Sequence, residues 1–234
     1  MKEQFALFRE SHVLSDGTHV TVRALLPEDR PALASAFEHA SPDTLRSRFL
    51  SDAFRPNAEI LRYLTEVDGV DHVAIVATVD SLDLKREIGV GVARFIRLED
   101  ASATAEAAVT VDGSMRRRGL AKVLLGALAQ LATERGITHF RAYVLGDNQA
   151  VHTALGNQQG VMRYREGDVW VYDLPIVAAP ATKDSPFAHA LRYVSLATDK
   201  VLVLLRALPF RASSGATPVA APAHGERTET DDEH

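Results

Sequence analysis

The stretch EAAVTVDGSMRRRGLAK, residues 106–122, decides how this chain is read. Its first residues have the period of a strand, with Glu106 and Ala108 on one face and Val109 and Val111 on the other. A short turn follows, and then a helix whose apolar positions are Leu120, Val123, Leu124, Ala127, Leu128 and Leu131. Gly136 ends that helix. A helix start presents unpaired backbone N–H groups and the positive end of the helix dipole, which suits an anionic phosphate. Gly119 lets the backbone approach a ligand closely, and Ala121 keeps the next turn thin. Arg116, Arg117, Arg118 and Lys122 add cations, with no acid among them, and forked guanidinium donors match phosphate oxygens. A pyrophosphate fits this loop better than a single carboxylate; the competing reading is a solvated basic turn. Neither Gly-Lys-Ser/Thr nor Gly-x-Gly-x-x-Gly is present, which argues against a nucleotide P-loop or a dinucleotide fold.

Outward from this segment, the alternation in Thr18–Ala24 predicts a strand with one buried face. Pro27, Glu28 and Asp29 predict a helix start, with Leu33, Phe37 and Ala40 as its apolar face. Ser41 and Pro42 predict a second helix carrying Leu45, Phe49 and Leu50, and Asn57 caps a third carrying Ile60, Leu61 and Leu64. His72–Val79 and Ile88–Leu98 read as a hairpin, Ala103–Val111 as the next strand, and His139–Leu145 as a strand reached by a parallel crossover. Val161–Arg165 and Val169–Leu174 close the series as a hairpin.

The 234 residues suffice for one domain plus an appendage, and 46% hydrophobic content fits a real core. With 26 Lys+Arg against 31 Asp+Glu, the net charge of −5 argues against a dedicated nucleic-acid binder. The absence of cysteine removes disulfides, Cys-ligated zinc and thiol nucleophiles, and no metal site is expected. The opening MKEQFALFRE carries charges where a secretory signal has an apolar core, and no apolar run is long enough for a bilayer. A soluble cytoplasmic protein is expected.

The loop Arg116-Arg117-Arg118-Gly119-Leu120-Ala121 resembles motif A of the GNAT superfamily of acyl-CoA-dependent N-acetyltransferases, which reads Gln/Arg-x-x-Gly-x-Gly/Ala. The resemblance covers roughly residues 14–175. It is strongest toward the acetyltransferase domain of Pat-type protein lysine acetyltransferases, in VTVRALLPED (20–29), SPDTLRSRFL (41–50), DHVAIVAT (71–78), IGVGVAR (88–94) and residues 106–111. It implies an α/β (α+β) fold: a mixed, splayed central sheet flanked by helices, with acetyl-CoA in the cleft. It also implies that the main chain of Val109 and Val111 pairs with the pantetheine arm. The N–H groups of Arg117, Arg118, Gly119, Leu120, Ala121 and Lys122 would then hold the pyrophosphate.

Glu106 is costly to bury inside an Ala/Val strand unless it has a task or a partner. The family's matching position carries the general base, and the chemistry needs one. A lysine amine with pKa near 10.4 costs about 4.6 kcal/mol to deprotonate at pH 7. Glu106, through water, would accept that proton as the amine attacks the thioester in a ternary complex, with strand N–H groups near Val109 stabilising the oxyanion. The plainer alternative is a surface glutamate on an edge strand. Asn148 matches the residue that opens the family's motif B. Many members carry a thiolate-protonating tyrosine seven residues later, where this chain has Leu155. His139 and His152 remain as alternative acids, and Tyr143, Tyr164 and Tyr172 read as strand packing. The expected acceptor is an amine, foremost a protein lysine; alternatives are a small-molecule amine, or a non-catalytic acyl-CoA sensor.

Residues 1–13 read as an N-terminal arm, 14–176 as the acetyltransferase domain and 177–186 as a linker. A C-terminal helix spans 187–210, and 211–234 form a disordered tail. In the C-terminal helical appendage, Phe187, Leu191, Val194, Thr198, Val201, Leu205 and Leu208 form a heptad seam. Packing on its own domain, a homodimer and membrane attachment are its readings, in that order.

Overall fold

The computed structural model describes residues 2–39, 55–81, 86–99, 101–146, 152 and 160–176. The second predicted helix, Asn148, Leu155, the linker, the C-terminal helix and the tail lie outside these residues.

The described chain runs α1 (Lys2–Ala6), β1 (Arg9–Val13), β2 (His19–Ala24), a 3-10 turn (Pro27–Asp29), α2 (Arg30–Glu38), α3 (Ala58–Thr65), β3 (His72–Ser81), β4 (Arg86–Leu98), β5 (Ala101–Val111), a second 3-10 turn (Gly113–Met115), α4 (Leu120–Thr133), β6 (His139–Leu145), β7 (Val161–Glu166) and β8 (Val169–Pro175). The eight strands form one sheet in the order β1-β2-β3-β4-β5-β6-β8-β7. All neighbours are antiparallel except β5 and β6, the pair joined by the crossover helix α4. This is the mixed sheet the sequence leads one to expect.

Helices cover both faces. On one, Leu120, Leu124, Leu128 and Leu131 of α4 pack on Ala93 and Phe95 of β4 and Ala105, Ala107 and Val109 of β5. Gly91 permits the approach: a Cβ there would lie 2.9 Å from Leu124 Cδ1 and 3.1 Å from the Thr110 carbonyl oxygen. On the other face, Leu33 and Phe37 of α2 and Leu64 of α3 close over Ala108, with Ile96 alongside. Local chemistry fixes these helices. The Asn57 side chain accepts from the Ile60 N–H at 2.8 Å and caps α3. Asp29 accepts from the Leu26 N–H and is clamped by both terminal nitrogens of Arg23 at 2.8 Å.

Residues 1–13, read from the sequence as an N-terminal arm, contribute an unforeseen strand: β1 pairs with β2 from Arg9↔Arg23 to Val13↔His19, and Phe5 is buried in the main core. Arg9–Val13 reads RESHV, so it has no apolar alternation, because an edge strand need not bury a face.

Candidate active site

β5 and β6 share only the residue pairs Thr104↔His139, Ala105↔Phe140 and Glu106↔Arg141. Beyond them β5 continues to Val111 and β6 to Leu145 without pairing, so the sheet splays open between them. On its other side β5 stays paired with β4 as far as Gly91↔Val111. Asp112 N–H donates to the Val90 carbonyl, and antiparallel hydrogen-bonded pairs recur every second residue. The main-chain groups of Thr110 and Ala108 therefore point to β4. Those of Val109 and Val111 point into the opening, an exposed strand edge able to pair with an extended amide-bearing chain.

The loop after β5 leads from this edge to α4. Asp112 caps the 3-10 turn by accepting from the Ser114 N–H. Arg117 adopts φ 60° and Gly119, the N-cap of α4, φ 90°. No side chain caps α4, and its first intrahelical bond runs from Val123 N–H to Gly119 O at 3.2 Å. The N–H groups of Leu120, Ala121 and Lys122 thus precede the ladder. The Leu120 and Ala121 side chains are buried, so only their main chain is offered to a ligand. A Cβ on Gly119 would meet nothing within 4 Å, so the space before the helix start is open. These features fit a pyrophosphate cradle. Arg116 is half-buried, while Arg117 and Lys122 are exposed. Arg118 is held elsewhere: its guanidinium donates to Asp16 at 2.8 Å, and its carbonyl accepts from the Ser15 hydroxyl and N–H.

Glu106 is not a surface residue. It is 1% exposed, on the α2/α3 face, in the last pair that β5 and β6 share. Around it stand Ile96 and Arg94 of β4, His72 of β3, Tyr63 of α3, and Arg141 and Tyr143 of β6. Arg94 is 0% exposed, and its guanidinium nitrogen lies 3.4 Å from His72 Nε2. Burial, then the Arg94 charge, pushes the His72 imidazole down to about 3, which keeps it neutral. The Tyr63 and Tyr143 hydroxyls are raised, first by burial, with the Glu106 charge a further cause in both. Arg141 is bound by Asp173 through two bonds, 2.8 and 3.0 Å. The His152 ring pairs with the Tyr172 hydroxyl at 2.8 Å, and His139 with the Thr138 hydroxyl at 2.9 Å.

Sequence reasoning passed over Arg94 and His72. The signal for Arg94 was present: a lone charge within VGVARFI (90–96), the same oddity that singled out Glu106. Among the described residues no cluster of three or more His, Asp or Glu could hold a metal ion. Among the same residues, no helix is long and apolar enough to cross a membrane.

Comparison with known proteins identifies the family. The model of the acetyltransferase (GNAT) family matches residues 32–156. Acetyltransferase Pat of Mycolicibacterium smegmatis is 34% identical over 187 residues, covering 77% of this chain and 52% of its own length. This chain therefore spans about half of that relative. The crystal structure of the GNAT domain of S. lividans PAT superposes with a TM-score of 0.63 at 26% identity, covering 71% of this chain and 96% of that one. The yncA protein of Salmonella typhimurium, solved with its cofactor acetyl-CoA, has a TM-score of 0.51, covering 71% of this chain and 98% of its own. At 18% identity that likeness is one of fold. Family match and Pat similarity together place the chain: it belongs to the acetyltransferase (GNAT) family.

Proposed function

We propose that this chain transfers the acetyl group of acetyl-CoA to an amine, foremost a protein lysine side chain, by direct attack in a ternary complex. The observation that carries the reading is the position of Glu106: a buried carboxylate in the pair where β5 and β6 begin to part. Acetyl-CoA supplies an activated acetyl thioester. The chain's own part is to hold it, with the Val109 and Val111 main chain along the pantetheine arm. The N–H groups from Arg117 to Lys122, with Arg116, would hold the pyrophosphate. From the opposite face Glu106 takes the proton of the attacking amine through water. The residues present suit this ligand, since the α4 start is uncapped and the space before Gly119 is open.

The choice of protein lysine rests on similarity to Pat, and the alternative of a small amine shares every residue named so far. Asn148, which the resemblance assigns to motif B, completes the cofactor set in this reading. A cytoplasmic location belongs to the same reading. A homodimer through the heptad seam Phe187–Leu208 rests on spacing alone.

Release of free CoA, measured over lysine-bearing proteins and over small amines, tests the proposal. Acetyl transfer to protein lysines that Glu106→Gln abolishes is the expected result. Turnover confined to small amines moves the substrate class. Binding of acetyl-CoA with no turnover on any amine overturns the enzymatic reading.

A further inference from the structure

Arg94 has no part in the mechanism so far, yet its placement is expensive. It lies in the middle of β4 with alanine directly opposite on both sides, Ala74 of β3 and Ala108 of β5. Two small neighbours leave room for a long side chain to run across the sheet face. Ile96 sits opposite Glu106, so Arg94 and Glu106 are diagonal neighbours on one face of the β4–β5 pair. Diagonal positions stand about 7–8 Å apart, within reach of an arginine and a glutamate. Both side chains are buried, and a buried charge persists only beside compensating groups.

Among the described residues, the other titratable groups named around the two are neutral or engaged. His72 of β3 faces the guanidinium and is neutral, so it offers no charge. Arg141 of β6 is held by Asp173. α2 contributes Leu33 and Phe37, and α3 contributes Leu64 and Tyr63. Asp68, after α3, is occupied by the N–H groups of Val70, Asp71 and His72. Tyr63 reports the shared environment: beneath the dominant effect of burial, Arg94 lowers its pKa and Glu106 raises it. Opposite charges therefore act on one hydroxyl from the same enclosed space.

We propose that Arg94 is the positioning residue of the candidate base: its buried guanidinium keeps the Glu106 carboxylate ionised and aimed at the acceptor side of the sheet. This rests on Glu106 being the base. An arginine in this place favours the charged carboxylate, which burial opposes. It sets the pH at which the enzyme switches on.

The test is the pH dependence of kcat/KM for the full chain with Arg94→Gln, Arg94→Lys, Glu106→Gln and the Arg94→Gln/Glu106→Gln double variant. Arg94→Gln should move the acidic limb upward by about one unit or more, as loss of an adjacent cation does. Its kcat should fall, with the KM for acetyl-CoA unchanged. Arg94→Lys should restore the limb and leave kcat below wild type, because an ammonium carries the charge without the planar fork. In the Glu106→Gln background, Arg94→Gln should cost nothing more. An unmoved limb, or an equal loss in both backgrounds, overturns the Arg94 assignment while leaving Glu106 as the base. A Glu106→Gln enzyme of full activity removes the base reading and Arg94's role with it. If Arg94→Gln fails to fold, an Arg94→Lys enzyme with wild-type kcat overturns the positioning claim.

Discussion

Glu106 and Arg141 form the last residue pair between β5 and β6, and past them the two strands expose main-chain groups to one another without bonding. The carboxylate thus lies in the pair at which the opening begins. Replacing Glu106 by Gln preserves shape and removes the proposed base. Turnover at neutral pH should fall by about 10²–10⁴-fold. Titration calorimetry should find acetyl-CoA binding intact. The deficit should shrink as pH rises toward the amine pKa, since free amine then needs no base. Full activity of this variant at pH 7 assigns the proton to another acceptor.

The three consecutive arginines should not contribute equally. Arg118 is engaged by Asp16, whereas among the described residues no such bond holds the half-buried Arg116 or the exposed Arg117. Charge reversal at Arg116 should weaken acetyl-CoA by about tenfold or more in low salt, and less as salt screens the contact. Arg118→Ala should have a smaller effect on affinity. Calorimetry across a salt series checks both, and equal losses at the two positions contradict the ranking.

Gly91→Ala tests the seat of α4. Its Cβ meets the Leu124 side chain and the Thr110 main chain at distances that require something to move. The expected loss is about 1–3 kcal/mol of stability, as for overpacking in a core. Acetyl-CoA affinity should fall as well if, as proposed, the N–H groups at the start of the displaced helix hold the cofactor. Gly89→Ala is the matched control: its Cβ would find only Val76 Cγ2 at 3.6 Å, and stability should stay within about 0.5 kcal/mol. Denaturant melts of the two variants decide the point.

His72 makes acid destabilisation begin early. The buried imidazole titrates at about 3 in the folded protein, against 6.5 when unfolded. Between those values the unfolded chain takes up a proton that the folded chain refuses. Stability from this group is complete above pH 6.5 and declines as pH falls, by about 2 kcal/mol at pH 5. His72→Gln should flatten the stability profile between pH 6.5 and 5, above the range where carboxylates titrate. An unchanged slope in that window shows that the imidazole accepts its proton without unfolding the domain.

The heptad seam has a direct test in solution. If Phe187–Leu208 joins two copies, Val201→Asp should convert a dimer to a monomer by light scattering, since an unpaired charge in an apolar seam is costly. Acetyl-CoA affinity should persist. If the seam packs on its own domain, the same change should lower the melting temperature and leave the mass alone.

The central strands and α4 were legible because each buries a regular face: Leu120, Leu124, Leu128 and Leu131 announce a helix, and the Val-rich runs of β3 and β4 announce a sheet core. Asn57 was legible because a cap is a local device. Glu106 stood out as a charge in an Ala/Val strand, and its burial excludes the surface alternative. What local pattern does not encode is contact across the chain. The Arg118–Asp16 pair joins residues 102 apart in sequence, so nothing near the basic run marks that guanidinium as engaged. β1 was missed for the opposite reason, its exposed and polar edge leaving no periodicity to read. The splay of β5 from β6 came from family resemblance, since residue types in either strand do not reveal where two strands stop pairing.

The ties of Ser15 to the Arg118 main chain and of Asp16 to the Arg118 guanidinium have a thermodynamic consequence. They fasten the β1–β2 turn to the loop that leads into α4, so any local opening of the first hairpin that frees Ser15 also loosens the helix start. Ligand that binds only the closed loop must then stabilise the hairpin by mass action. If the proposed loop holds the cofactor, amide hydrogens of Arg9–Val13, at the edge of the sheet, should exchange more slowly when the cofactor is bound. On that reading the terminal strand would report cofactor occupancy, and a change that shortens or loosens the hairpin should act on cofactor affinity through Arg118 alone.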